Sequence, residues 1–209
     1  MLFRNAFMTN ATALQLVPAS TALVLIDLQQ GILPYAKAPY DSVAVLAKAA
    51  LLAQAFRAAG SPVVRVKVGW SADGGDALKA LVDSPNPPGA SPADWLDDPV
   101  ELPSQAGDIH ILKRQWGAFH GTELDLQLRR RGIRSIVLGG IATSIGVEST
   151  ARFAWELGYD IVFAEDATGG PDAAMHANSF EKVFPRIGRI RTTADVLAAL
   201  ASDPPFLAA

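Results

Sequence analysis

The chain of 209 residues has no cysteine. That absence excludes disulfides, thiolate metal sites and thiol nucleophiles, and it leaves redox compartment unreadable from cysteine usage. Charge is also sparse. Charged residues make up 19% of the chain against 50% hydrophobic, and the formal net charge is only -3. So few charges argue against disorder and for a surface partly covered by another subunit, a homo-oligomer of two or four copies. The single basic run, Arg129 to Arg134, falls where a helix should end, and there its cations complement the helix dipole; nucleic acid is not an expected partner. No apolar stretch approaches the length of a membrane span, and the first twenty residues are broken by Asn5, Asn10 and several threonines rather than forming a signal-peptide core. The expectation is a cytoplasmic protein without a membrane partner.

What is present is a rhythm. Short β-branched runs, TALVLID (21–27), PVVRVKV (62–68), DIHILK (108–113), SIVLGG (135–140) and DIVFAED (160–166), alternate with segments of helical spacing. Asp41 and Thr122 stand as N-caps, and Gly60, Gly132 and Gly158 follow the last helical residues. A sixth short strand near 187–191 leads to a last helix capped by Thr192 or Thr193. Short βα connections predict an α/β, doubly wound, three-layer αβα fold with an open, mostly parallel sheet of about six strands. Residues 1–19 form an arm and 20–209 a single domain. Residues 69–107, rich in Pro, Gly, Asp and Trp, read as a lid or subunit contact.

In such a sheet, ligands bind beyond the carboxyl ends of the strands. Asp27, Trp70, Lys113, the segment GGIATSIGVEST (139–150), and Glu165 with Asp166 stand at those ends. Asp27 closes an apolar run, so its carboxylate is either desolvated for proton transfer or capping a turn. Lys113 poses the same choice between a solvated lysine and a cation aimed into the cleft. The glycine segment fits neither a nucleophile elbow nor a phosphate loop, because the glycine spacing fails the first and Val147 stands where the second needs lysine. With Ser144 as N-cap, the amides of Ile145 to Val147 would form an anion site lacking a nucleophile. Gly139 and Gly140 read as permitting close helix-to-sheet packing. Trp116 and Phe119, in KRQWGAF, are candidates to wall the pocket. The three histidines, His110, His120 and His176, lack metal-ligand spacing, so no metal and no cofactor is expected. His120 stands close enough to Lys113 in sequence to reach the cleft, although ordinary surface or hydrogen-bonding roles suit all three. Asp73 and Asp76 read as turn residues.

LVLIDLQQGIL, KRQWGAFHGTELDLQLRRRGI and VLGGIATSIGVESTARFAWELGYDIVFAEDAT together resemble the isochorismatase-like hydrolase superfamily, over residues 20 to 195. The resemblance implies a three-layer, usually oligomeric αβα hydrolase of small molecules. In its amidases an Asp, a Lys and a Cys act together. Asp27 and Lys113 match the first two, and Gly146 stands at the position of the cysteine. The resemblance further implies a cis peptide between Ile141 and Ala142, and an oxyanion hole formed by the amides of Ala142 and Gly146. A glycine in place of the thiol also resembles the isochorismatases proper, which cleave a vinyl ether with an acid at the position of Asp27. Ala142 departs from those enzymes, which carry an aromatic residue there. Lys113 would lower the pKa of Asp27 while burial would raise it, and the sequence does not decide between them.

Overall fold

A computed structural model describes residues 14–84 and 91–201. Of the expected arm, residues 1–13 lie outside this range, as do 85–90 of the long loop. Leu16 is buried in the core, so the end of the arm is packed down.

Six strands form one sheet: β1 (Thr21–Ile26), β2 (Val63–Val68), β3 (Ile109–Lys113), β4 (Ser135–Ile141), β5 (Asp160–Gly169) and β6 (Arg189–Arg191). Their order is β3-β2-β1-β4-β5-β6 and every pairing is parallel. β1 is buried along its whole length because both of its faces are covered. Ala22, Val24 and Ile26 join one apolar layer, and Leu23 and Leu25 join the other. After β3 the chain crosses to the far side of β1, which places the point of order reversal between β1 and β4, the position at which open sheets of this kind bind ligands.

α1 (Ser42–Ala58) and α5 (Thr193–Ala201) pack on the Leu23 side. α2 (Leu124–Arg130) and α3 (Glu148–Glu156) pack on the Val24 side, together with Phe180 and Phe184, which follow α4 (Ala173–Asn178). α1 buries Val45, Leu46, Ala49, Leu52, Ala53 and Phe56, a single stripe at helical spacing. Its N-cap is Asp41, which accepts from the amide of Ala44 at 2.8 Å. Thr122 accepts from Leu124 N at 3.1 Å, and the hydroxyl of Thr192 accepts from Asp195 N at 3.2 Å. Gly60, Gly132 and Gly158 all have positive φ just past their helices.

The structure differs from expectation in several places. β5 runs on to Gly169, so Glu165 and Asp166 lie within the strand rather than beyond it. The β4–β5 register slips between Leu138↔Phe163 and Gly140↔Thr168, and the extra residues of β5 form a bulge. Asp166 there accepts from the amide and hydroxyl of Thr193, capping α5. After β4 the chain makes a π-helical turn, Thr143–Val147, instead of entering α3 directly. Ser144 is therefore not the N-cap. The carbonyl of Ala142 takes the amides of both Ile145 and Val147, at 3.1 and 3.2 Å, so these two amides are not free for a ligand.

Gly140 permits close packing, but against a strand rather than a helix. Its φ is +127°, and a Cβ there would lie 2.2 Å from the carbonyl oxygen of Ile26. Gly140→Ala is expected to destabilise the chain by roughly 3 kcal/mol or more, through combined strain and overlap. Urea unfolding measures it, and a loss under about 1 kcal/mol would contradict this packing.

Candidate active site

Asp27 follows the last residue of β1 with φ +52°, a left-handed conformation uncommon outside glycine, though Asp tolerates it better than most. Its amide still donates to the carbonyl of Val66, at 2.9 Å, so the chain turns sharply while tied to β2. The side chain lies beside that of Lys113, which closes β3 two strands away. Lys113 Nζ donates to Asp27 Oδ2 at 2.7 Å, to the carbonyl of Gln115 at 3.1 Å and to that of Trp116 at 2.9 Å. Both side chains are buried. Asp27 Oδ1 has no partner. Burial pushes the Asp27 carboxyl up to about 6, and the charge and hydrogen bond of Lys113 oppose the shift without cancelling it.

Gly146 completes this group. A Cβ on it would point at the pair, 3.1 Å from Asp27 Oδ2 and 3.0 Å from Ile26 Cγ2. The carboxylate has thus settled into space that a side chain at 146 would contest. The Ile141–Ala142 peptide is cis. Thr150 fastens the turn to the segment after β3: its hydroxyl donates to the carbonyl of Gly146 at 2.7 Å and accepts from Ala118 N at 3.1 Å.

The structure brings Asp27, Lys113, Ile141, Ala142 and Gly146 to the ends of β1, β3 and β4. The pocket-wall expectation separates into two outcomes. Trp116 is exposed, and its carbonyl binds Lys113. Phe119 is buried within the apolar layer, its ring centroid 5.7 Å from that of Tyr159. His120 is exposed, and its carbonyl accepts from Gln115. Asp73 and Asp76 do close a turn, with Asp76 paired to Arg114 and bonded to Ser71.

Two further residues support the site: Gln29 escaped the sequence reading, and His176 was given there only an ordinary surface or hydrogen-bonding role. Gln29 is fully buried two residues after Asp27. Its amide donates to the carbonyls of Val68 and Trp95 and accepts from Val68 N, joining β1, β2 and the long loop. A polar residue amid LVLIDLQQGIL was the available signal. His176 is also buried. It bonds Thr143 at 2.8 Å beside the π-helical turn and stacks on Phe180, and burial pushes its pKa down to about 4, which leaves it neutral. Its partner is 33 residues away in sequence, so nothing local announced it.

Two surface cavities, of about 500 and 270 Å³, lie along β3, and neither is lined by Asp27 or Lys113. The site is recognised by its side-chain geometry rather than by a void.

Residues 21–195 match the family model described as the isochorismatase domain, and the chain belongs to that family of hydrolases. It is 54% identical over 187 residues to the uncharacterized isochorismatase family protein YecD of Escherichia coli O157:H7, covering 90% of this chain and all of that one. It is 33% identical over 219 residues to the ureidoacrylate amidohydrolase RutB of Rhizobium rhizogenes, covering 91% and 87% of the two chains. Among solved structures, an isochorismatase family protein from Burkholderia thailandensis superimposes with a TM-score of 0.87 at 44% identity, over 91% of this chain and all of that one.

The raised pKa of Asp27 has a definite sign in stability. The folded chain holds this proton more tightly than the unfolded chain, whose carboxyl titrates near 3.8. Its contribution is therefore full below that value and is lost as pH rises through about 6. Between about pH 4 and about pH 7 the native chain should lose stability relative to Asp27→Asn, which lacks the proton. Paired urea titrations test this, and parallel pH dependence in the two proteins would contradict it.

Proposed function

We propose that this chain hydrolyses a small anionic metabolite without a covalent intermediate, by acid-catalysed cleavage of a vinyl ether. The observation that carries the reading is the state of Asp27. Its Oδ2 is locked to Lys113, its Oδ1 is free, its pKa is raised by burial to about 6, and Gly146 beside it offers no nucleophile. A carboxyl that holds a proton near neutrality and has one uncommitted oxygen suits general acid catalysis.

In the proposed reaction, Asp27 gives its proton to the terminal vinyl carbon, and the C=C electrons form that C–H bond. The ether carbon becomes an oxocarbenium ion, which water attacks. Loss of a proton restores Asp27 and leaves a hemiketal. That hemiketal collapses: its hydroxyl proton passes to the alkoxy oxygen, the C–O bond to that oxygen breaks as the C=O forms, and a ketone and an alcohol depart. Lys113 holds the carboxyl in place and supplies positive charge near the substrate. The amides of Ala142 and Gly146 are assigned to its carboxylate or carbonyl, and the indole of Trp116 to the edge of the site. No metal or cofactor is required by this chemistry.

The amidohydrolase relatives define the competing substrate class. Amide cleavage here would need Asp27 to activate water directly, without the help of covalent catalysis. We place the reaction in the cytoplasm and in a homo-oligomer, dimer or tetramer. Exposed apolar side chains such as Val43, Leu51, Leu126 and Phe153 support an assembly.

Incubation with isochorismate, with pyruvate release as the readout, tests the proposal. The expected rate falls as pH rises through about 6, because the acid form is the active one. Asp27→Ala should lower kcat by roughly 10²–10⁴-fold. Undiminished activity in that variant would overturn the mechanism. Turnover confined to amides would establish the competing class, and tight binding without turnover of amides, esters or vinyl ethers would establish a non-catalytic binding protein.

A further inference from the structure

The sheet is covered unevenly. On the side of α1 and α5, no described helix lies over the outer part of β2 and β3, and the loop segment 94–104 takes that place. Two cations on β2 face it. Arg65, only 2% exposed, donates through Nη2 to Asp98 Oδ1 at 3.0 Å. Lys67 reaches the same oxygen at 2.8 Å and the carbonyl of Leu96 at 2.6 Å. The other terminal nitrogen of Arg65, Nη1, is buried and has no partner. Nearby, Arg57 and Asp108 form a bidentate pair and neutralise each other. Asp98 is thus one carboxylate serving two cations, and the group carries one positive charge in excess.

Beside this group lies the cavity of about 270 Å³, lined by Arg65, Lys67, Leu96, His110, Ile111 and Leu112. Its lining combines the two cations with an imidazole and the aliphatic side chains of Leu96 and Leu112, while Ile111 turns its side chain into the apolar layer on the other face. Of the two cations Lys67 is the accessible one, its side chain 20% exposed against 2% for Arg65, and it presents the excess charge to an anionic oxygen. The volume falls just below the usual range of ligand sites, about 300–1,000 Å³, too small for a nucleotide and suited to a compact acid.

We propose that this cavity is a binding site for a small carboxylic acid with an apolar body, separate from the site at Asp27. The carboxylate approaches Lys67, with Arg65 behind it adding charge, and the apolar body lies against the exposed side chains of Leu96 and Leu112. The site also has a route to the rest of the molecule. Leu96 and Asp98 flank the segment of Trp95, whose indole lies over Gly31 and donates to the carbonyl of Val68 at 2.7 Å. A bound acid therefore clamps the loop that also holds Gln29.

The test is a titration of the full chain with benzoate and, separately, with inorganic phosphate, followed by calorimetry and by the NMR signals of the Leu112 methyls and the His110 ring. The expected result is saturable benzoate binding that shifts those signals, with weaker binding of phosphate, which has no apolar body. Leu112→Glu places a carboxylate at an exposed position of the lining, and Lys67→Gln removes a cation. Each should weaken benzoate by about tenfold or more, whereas Asp27→Asn should bind it as the native chain does. The proposal is overturned by the absence of saturable binding, by unchanged affinity in Leu112→Glu and Lys67→Gln, by phosphate binding more tightly than benzoate, or by shifts centred on Asp27.

Discussion

The site depends on one buried ion pair. Asp27 and Lys113 come from strands that are not neighbours, and β2 runs between them, so their meeting requires three strands to end together. Burying two charges is expensive, and the expense is offset here by close geometry and by the two carbonyls that complete the shell of Lys113. Losing either partner would leave the other as an uncompensated buried group. The pair thereby makes the strand ends, the segment after β3 and the turn carrying Gly146 into a single unit.

Other features preserve that unit. Gln29 ties the chain after β1 to the end of β2, and Thr150 ties the segment after β3 to the π-helical turn. Gly140 lets β4 approach the carbonyl of Ile26, one residue before Asp27. On the far side of the turn, His176 holds Thr143 as a neutral hydrogen-bonding ring. The result is a rigid support under a carboxyl whose own backbone is strained.

The sheet and most helices were legible in the sequence because their signals are local. Continuous apolar runs marked strands buried on both faces, and Asp41, Gly60, Gly132 and Gly158 marked helix ends. What failed depended partly on contacts distant in the chain and partly on a local competition for amides. Glu165 and Asp166 looked like the end of β5, but both charges have partners outside the strand: Glu165 accepts from Tyr40, and Asp166 caps α5 and meets Lys48. Ser144 looked like a cap, yet the carbonyl of Ala142 claimed the amides that a cap would have served. Asp27 and Lys113 were legible as types at strand ends, but only the fold shows that burial outweighs the lysine in setting the proton affinity of the carboxyl.

The three hydrogen bonds of Lys113 have a further consequence. An ammonium group has three protons to offer, and here all are engaged, one by Asp27 and two by main-chain oxygens. Lys113 behaves as an immobile charge, with no hydrogen left to shuttle and none to lend an incoming molecule. On the proposed reading, Asp27 must recover its proton from the water that attacks the substrate. Hydration of the site would then serve as both reagent and reset, and a pocket kept too dry would stop after a single event.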